Sequence, residues 1–112
     1  MIRKINTEKH EYIFTCYVYD NSRSWGHDCI LNRDGYQIGH NRIRYYNRTW
    51  ESYQFQSVMM GLIYDLIEQE KQTALNDWKE RTGRKRSTKK EKEKIYSESQ
   101  QVQELINVYN QL

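Results

Sequence analysis

The sequence predicts an α+β fold, an N-terminal antiparallel β-meander followed by a long C-terminal antiparallel helical hairpin. Two observations carry this. Up to about residue 46 the apolar residues alternate with a period of two, and from residue 49 onward they recur at about 3.6 residues. The first half is punctuated by short turn signals, Asp34-Gly35 the strongest of them, while no Pro interrupts the second. The 112 residues suit one domain. It divides into a β-meander (1–48), a long helix (49–82), a basic turn (83–87) and a C-terminal helix (88–112).

Residues 11–19 place Tyr12, Phe14, Cys16 and Val18 on one face and Ile13, Thr15, Tyr17 and Tyr19 on the other. Both faces are apolar or aromatic, which predicts a central strand. Asn21 to Ser24 break it, and residues 28–32 form a second strand. Asp34-Gly35 turns the chain into a third, Tyr36 to Ile38. A further turn is expected at Gly39-His40-Asn41, then a fourth strand over 42–46.

Thr49 is a suitable N-cap for the long helix, and Glu51 suits the positive end of its dipole. Phe55, Val58, Met59, Leu62, Leu66, Ala74 and Trp78 form its apolar stripe, which thins near Gln69 to Thr73. A bend or break is expected there. Gly83 suits the position after the helix, with Lys79 and Arg81 in the last turn. Thr88 and Glu91 are spaced as a capping box. One helix then runs to the C-terminus, with Ile95, Val102, Leu105, Ile106, Tyr109 and Leu112 near heptad spacing. That seam can close within the chain or against a second copy, so a homodimer through the C-terminal helix is an admissible partner.

The start of the chain, MIRKINTEKHEY, lacks an apolar signal region, and no run approaches a membrane span. Free thiols in a reducing cytosol are therefore expected for Cys16 and Cys29. Catalysis is not expected. There is no Gly-rich phosphate loop, no zinc-protease motif and no nucleophile elbow. Cys29 could pair with His27 or His40, but no oxyanion site accompanies them. His27, Cys29 and His40 could supply metal ligands only outside the usual zinc spacings. No cofactor or metal is expected.

Charge is unevenly spread. Residues 1–78 hold nine Lys/Arg against ten Asp/Glu, whereas residues 79–94 hold nine against three, so one segment supplies the excess behind the net +3. Lys89, Lys90, Lys92 and Lys94 crowd the start of a helix, where the dipole opposes positive charge. A solvated, solubilising tip is the plain explanation. The alternative is an acidic partner, phosphate or protein, for Arg84, Lys85, Arg86, Lys89 and Lys90. A second candidate surface lies on the fourth strand, where Arg42, Arg44 and Tyr46 share a face, followed by Arg48, Trp50 and Tyr53. Arg with aromatics is the composition of interface hot spots and of single-stranded nucleic-acid platforms. Equally, Trp50 and Tyr53 could staple the helix to the sheet while the arginines are solvated.

Residues 42–60, RIRYYNRTWESYQFQSVMM, resemble a recurring segment of small accessory proteins from phages and other mobile elements of Gram-positive bacteria. That segment runs from a strand through a Tyr-Asn-x-Thr-Trp-Glu junction into an amphipathic helix. The resemblance covers under a fifth of the chain. It implies a behaviour, tight protein binding without catalysis in a host bacterial cytosol, as in anti-CRISPR proteins. It transfers no residue roles. The function expected is that of a non-catalytic protein that inhibits or modulates a host nucleoprotein machine, such as a CRISPR effector nuclease. The alternatives are a direct DNA- or RNA-binding module using the basic turn 79–94, and an oligomeric structural or virion protein.

Overall fold

The computed structural model describes residues 1–20, 24–45 and 53–112. The expected break at Asn21 to Arg23 and the Thr49 cap with Glu51 lie outside the described residues. The elements are β1 (Ile2–Asn6), β2 (Glu11–Asp20), β3 (Trp25–Arg33), β4 (Tyr36–Tyr45), α1 (Tyr53–Thr82), α2 (Lys89–Glu98) and α3 (Gln100–Gln111). The strands form one antiparallel meander in the order β1-β2-β3-β4. This is the predicted α+β class, with β2 in the sheet interior.

Two strands differ from the expectation. β1 is not anticipated by the sequence pattern, because its residues are polar or exposed except for Ile5. It is held by its ladder to β2 and by the N-terminal amine, which donates to the Cys16 carbonyl at 2.7 Å. At the other edge, Gly39-His40-Asn41 is not a turn. It lies within the continuous strand β4, and Gly39, His40 and Asn41 pair with Leu31, Ile30 and Cys29. Gly39 is there for close approach: an added Cβ would meet Leu62 Cδ2 of α1 at 2.9 Å. The Asp34-Gly35 turn is as predicted. Both residues have positive φ, 52° and 86°, as a two-residue type I′ hairpin requires.

α1 is one helix of 30 residues, about 45 Å at 1.5 Å per residue. It is continuous through Gln69–Thr73, where the thinning stripe predicts a bend or break. Val58, Met59, Leu62, Ile63 and Ile67 of its first half cover the sheet face bearing Tyr12, Phe14, Cys16, Cys29 and Leu31. Phe14 is wholly buried, and truncating it to Ala costs about 3–5 kcal/mol. The second half of α1 runs on past the core, and Gly83 N–H closes it on the Lys79 carbonyl at 2.9 Å.

The predicted single C-terminal helix is two helices. Thr88 and Glu91 form the expected capping box at the start of α2. Ser99 then takes an extended conformation and breaks the helix, its side chain capping α3 by accepting from Val102 N–H. The physical reason is division of labour. No residue of α2 is fully buried, whereas α3 must turn Val102, Leu105 and Val108 inward. Leu105 and Val108 join the main core; Val102 of α3 and Leu75 of α1 are buried beyond it. The apolar stripe of α3 is therefore covered within the chain.

Candidate binding surfaces

The helices all lie on one face of the sheet. The other face carries, by strand register, Ile13, Thr15, Tyr17 and Tyr19 of β2, Gly26, Asp28 and Ile30 of β3, and His40, Arg42 and Arg44 of β4. Arg42 and Arg44 thus share the outer face, as predicted, and both are exposed. Tyr46 and Arg48, predicted with them, lie outside the described residues, as does Trp50.

This face has an organising centre that sequence reasoning missed. Asp28 is 0% exposed, yet it is on the face that no helix covers among the described residues. Among the described residues its cover comes from the outer layer of side chains. Arg42 donates to Oδ2 through Nε at 3.1 Å and Nη2 at 2.7 Å. The Tyr17 hydroxyl donates to the same oxygen at 3.0 Å, and His40 Nε2 bonds to Oδ1. Burial pushes the Asp28 carboxyl up, but the bonds from Arg42, Tyr17 and His40 outweigh it and hold the group below its ordinary value. The same Asp28 raises Arg42 and the Tyr17 phenol.

Arg42 is held by an aromatic ring as well. Its guanidinium stacks over the Tyr19 ring, 4.2 Å from the centroid. Tyr19 reaches that position because its cross-strand partner is Gly26. An added Cβ there would lie 2.0 Å from the Ile43 carbonyl oxygen and 3.0 Å from Tyr19 Cε1. Gly26, Tyr19, Arg42, Asp28 and Tyr17 therefore make one rigid layer. The only sequence signal for it is an acid placed among apolar residues in Asp28-Cys29-Ile30-Leu31.

Beneath this layer, on the core face, Cys16 and Cys29 face each other across β2 and β3 with their sulfurs 3.1 Å apart, both unbridged. The Cys16 N–H and C=O both bond to Met1 on the β1 side, so Cys16 and Cys29 form a close, non-hydrogen-bonded pair. The shared hydrogen bond lowers Cys16 and, together with burial, raises Cys29. His27 is also inside, its ring 4.6 Å from that of Phe55. Burial pushes its pKa down. His27 and Cys29 thus point inward while His40 points outward, so the structure does not bring His40 together with the other two. Among the described residues no group of three or more His, Cys, Asp or Glu side chains could hold a metal.

The second predicted surface is the turn between α1 and α2. Arg84, Lys85, Arg86, Lys89 and Lys90 are all exposed there. Arg84 is drawn inward, donating to Glu91 Oε2 at 2.5 Å and standing 5.3 Å from the Trp78 ring centroid. The backbone N–H of Thr88, its hydroxyl and the Arg84 cation hold Glu91 below its ordinary value. Beside the turn, α1 and α2 leave an open cleft of about 540 Å³ lined by residues that include Trp78, Arg81, Lys94 and Ile95. The turn sits 15 residues along α1 from Ile67, about 22 Å at 1.5 Å per residue. The structure therefore does not bring the two predicted patches together.

Among the described residues no helix is long and apolar enough to cross a membrane. Comparison of the chain with protein-family models, with curated proteins and with solved structures gave no significant match.

Proposed function

We propose that this is a non-catalytic binding protein that docks on a host nucleoprotein machine and inhibits or modulates it, with the open sheet face meeting the machine's protein. The observation that carries this reading is the Asp28-centred layer. Tyr17 offers a large amphipathic ring, Tyr19 a partly buried one, and Arg42 is already oriented and largely neutralised by Asp28. Interface hot spots are enriched in Tyr and Arg, and side chains fixed before binding lose little entropy on docking. Around them Ile2, Ile13 and Ile30 add apolar area, with Lys4 and Arg44 at the rim, an arrangement suited to a protein partner. A phosphate platform would instead keep its central arginine free. The host-directed part of the reading, a bacterial cytosol and a CRISPR effector or similar machine, comes from the resemblance at residues 42–60.

A structural role through self-assembly by the C-terminal helix has less support, because Val102, Leu105 and Val108 are already buried in the single chain. A homodimer would need another face.

The test is capture of partners from a Gram-positive lysate, with and without nuclease, by the parent and by two face variants. Thr15→Trp places a bulky neutral block in the middle of the face, and Arg44→Glu reverses a rim charge. Capture of a defined partner that survives nuclease and is lost with Thr15→Trp is expected. Capture that disappears on nuclease treatment, or that both variants retain in full, would overturn the reading.

A further inference from the structure

We propose that the turn joining α1 and α2 is a second, separate binding surface, a sequence-independent contact for the phosphate backbone of nucleic acid. It extends the docking reading by naming the nucleic-acid half of the partner, yet it rests on different residues and can fail alone.

The first ground is what the turn's own structure uses and what it leaves over. Gly83 closes α1, Thr88 and Glu91 cap α2, and Arg84 joins Glu91 to Trp78. Those groups complete the turn. Lys85, Arg86, Lys89 and Lys90 stand exposed around it, and two of them sit where the dipole of α2 disfavours cations. A local preference broken without structural gain points to a ligand that supplies the gain.

The second ground selects the ligand. From Lys79 to Lys94 there is no apolar side chain, the flanking Trp78 and Ile95 lying in the cleft to one side, and nine of the side chains are Lys or Arg. Protein interfaces are centred on apolar and aromatic groups and are poor in Lys. Phosphate is met by Lys, Arg, Ser and Thr without any apolar centre, and those types make up most of this segment.

The third ground is shape. Each helix is about 10–12 Å across with its side chains, so a tip of two helices is roughly twice that, too wide for a major groove of about 12 Å. Contact is therefore with the backbone, and it reads no sequence.

Fluorescence anisotropy with labelled single- and double-stranded oligonucleotides of unrelated sequence, over a salt series, tests this. Four phosphate contacts predict a slope of log K against log salt of about −3.6 on duplex and about −2.8 on single strands. Duplex affinity then falls by about 10²-fold between 50 and 200 mM salt. The variant carrying Lys85→Gln, Arg86→Gln, Lys89→Gln and Lys90→Gln removes charge without adding repulsion. Circular dichroism and thermal melting confirm its fold. It should flatten the slope to near zero, whereas Thr15→Trp should leave binding unchanged. Three results overturn the proposal: no binding to either probe at 50 mM salt, an unchanged slope in the quadruple Gln variant, or equal displacement by polyglutamate at matched charge. The last reassigns the tip to acidic protein. Because the probe is bare nucleic acid, these failures are distinguishable from loss of nuclease-resistant capture at the sheet face.

Discussion

The two ends of this molecule treat arginine in opposite ways. On the sheet face away from the helices Arg42 is clamped between Asp28 and the Tyr19 ring, so its charge is spent internally and its plane is presented rigidly. At the helical tip only Arg84 is clamped, and the cations around it face water. A neutralised, aromatic, preorganised surface recognises shape at short range. A surplus of solvated charge acts over about a Debye length, roughly 8 Å at physiological ionic strength, and weakens with salt. On the proposed reading, the two regions would meet the protein and the phosphate of one partner.

The comparison breaks most completely if the tip is not held to the body. Val102 is fully buried on α3, with Leu75 of α1 also buried outside the main core. Val102→Asp places an unpaired charge there and should cost on the order of 4 kcal/mol. In a domain this small, global unfolding or a large drop in melting temperature should follow. An unchanged melt by differential scanning calorimetry would show that α3 is not held by this seam.

Removing Asp28 has the next largest effect, and it falls on one end alone. Asp28→Ala strips Arg42, Tyr17 and His40 of a common acceptor. Arg42 and His40 are partly exposed and can turn to water, so the cost is about 1–3 kcal/mol rather than that of stranding a deep charge. Binding at the sheet face should fall by more than this loss of stability explains, because Arg42 becomes mobile. The salt slope at the tip should not change. Urea melts and partner capture, run side by side, separate the two effects. Full capture by a folded Asp28→Ala protein would show that the clamp is structural only.

How far these regions can be read from sequence differs in the same way. The tip is legible, because a charge run and a capping box are local. So is the change from period two to period 3.6, which fixes sheet against helix, and so is the alternation that puts Arg42 and Arg44 on one face. β1 is not legible, since a strand that buries only Ile5 has no pattern to detect. Gly39 reads as turn punctuation because a sequence does not distinguish a glycine that turns the chain from one that lets Leu62 approach. Asp28 escapes placement, since its partners lie 11 to 14 residues away and meet it only through register.

Acid provides a graded version of the same contrast. His27 and Asp28 both have depressed pKa values in the fold. For each, the folded protein binds the proton less readily than the unfolded chain, so the stability it contributes is present above the unfolded pKa and declines as pH falls through the folded one. The His27 contribution should begin to fade below about pH 6.5, and that of Asp28 below about pH 4. Denaturant melts at pH 7.5, 5.5 and 3.5 should show both losses. His27→Gln should remove the first and Asp28→Asn should reduce the second. Identical pH dependence in parent and variants would mean that other groups govern acid unfolding.

The smallest effect tests whether the sheet's two faces act independently. Cys16 and Cys29 lie directly under the Tyr17–Asp28 layer but point the other way, into the core. Replacing either with serine keeps the volume nearly constant and exchanges a weak sulfur contact for a hydroxyl, which costs about 1 kcal/mol where a partner is within reach. In Cys16→Ser the new hydroxyl keeps the Cys29 thiol as such a partner. In Cys29→Ser it can bond to the Cys16 thiol or to the Ile30 carbonyl, toward which Cys29 Sγ already points at 3.9 Å. Each variant should melt a few degrees lower. Neither should change partner capture, because the backbone register that positions Tyr17 opposite Asp28 does not depend on the thiols. Both cysteines should resist a bulky thiol reagent in the native protein and react once it is unfolded. Loss of capture in a well-folded Cys29→Ser protein would show that the core pair sets the geometry of the outer face, and the binding layer would then have to be redrawn to include it.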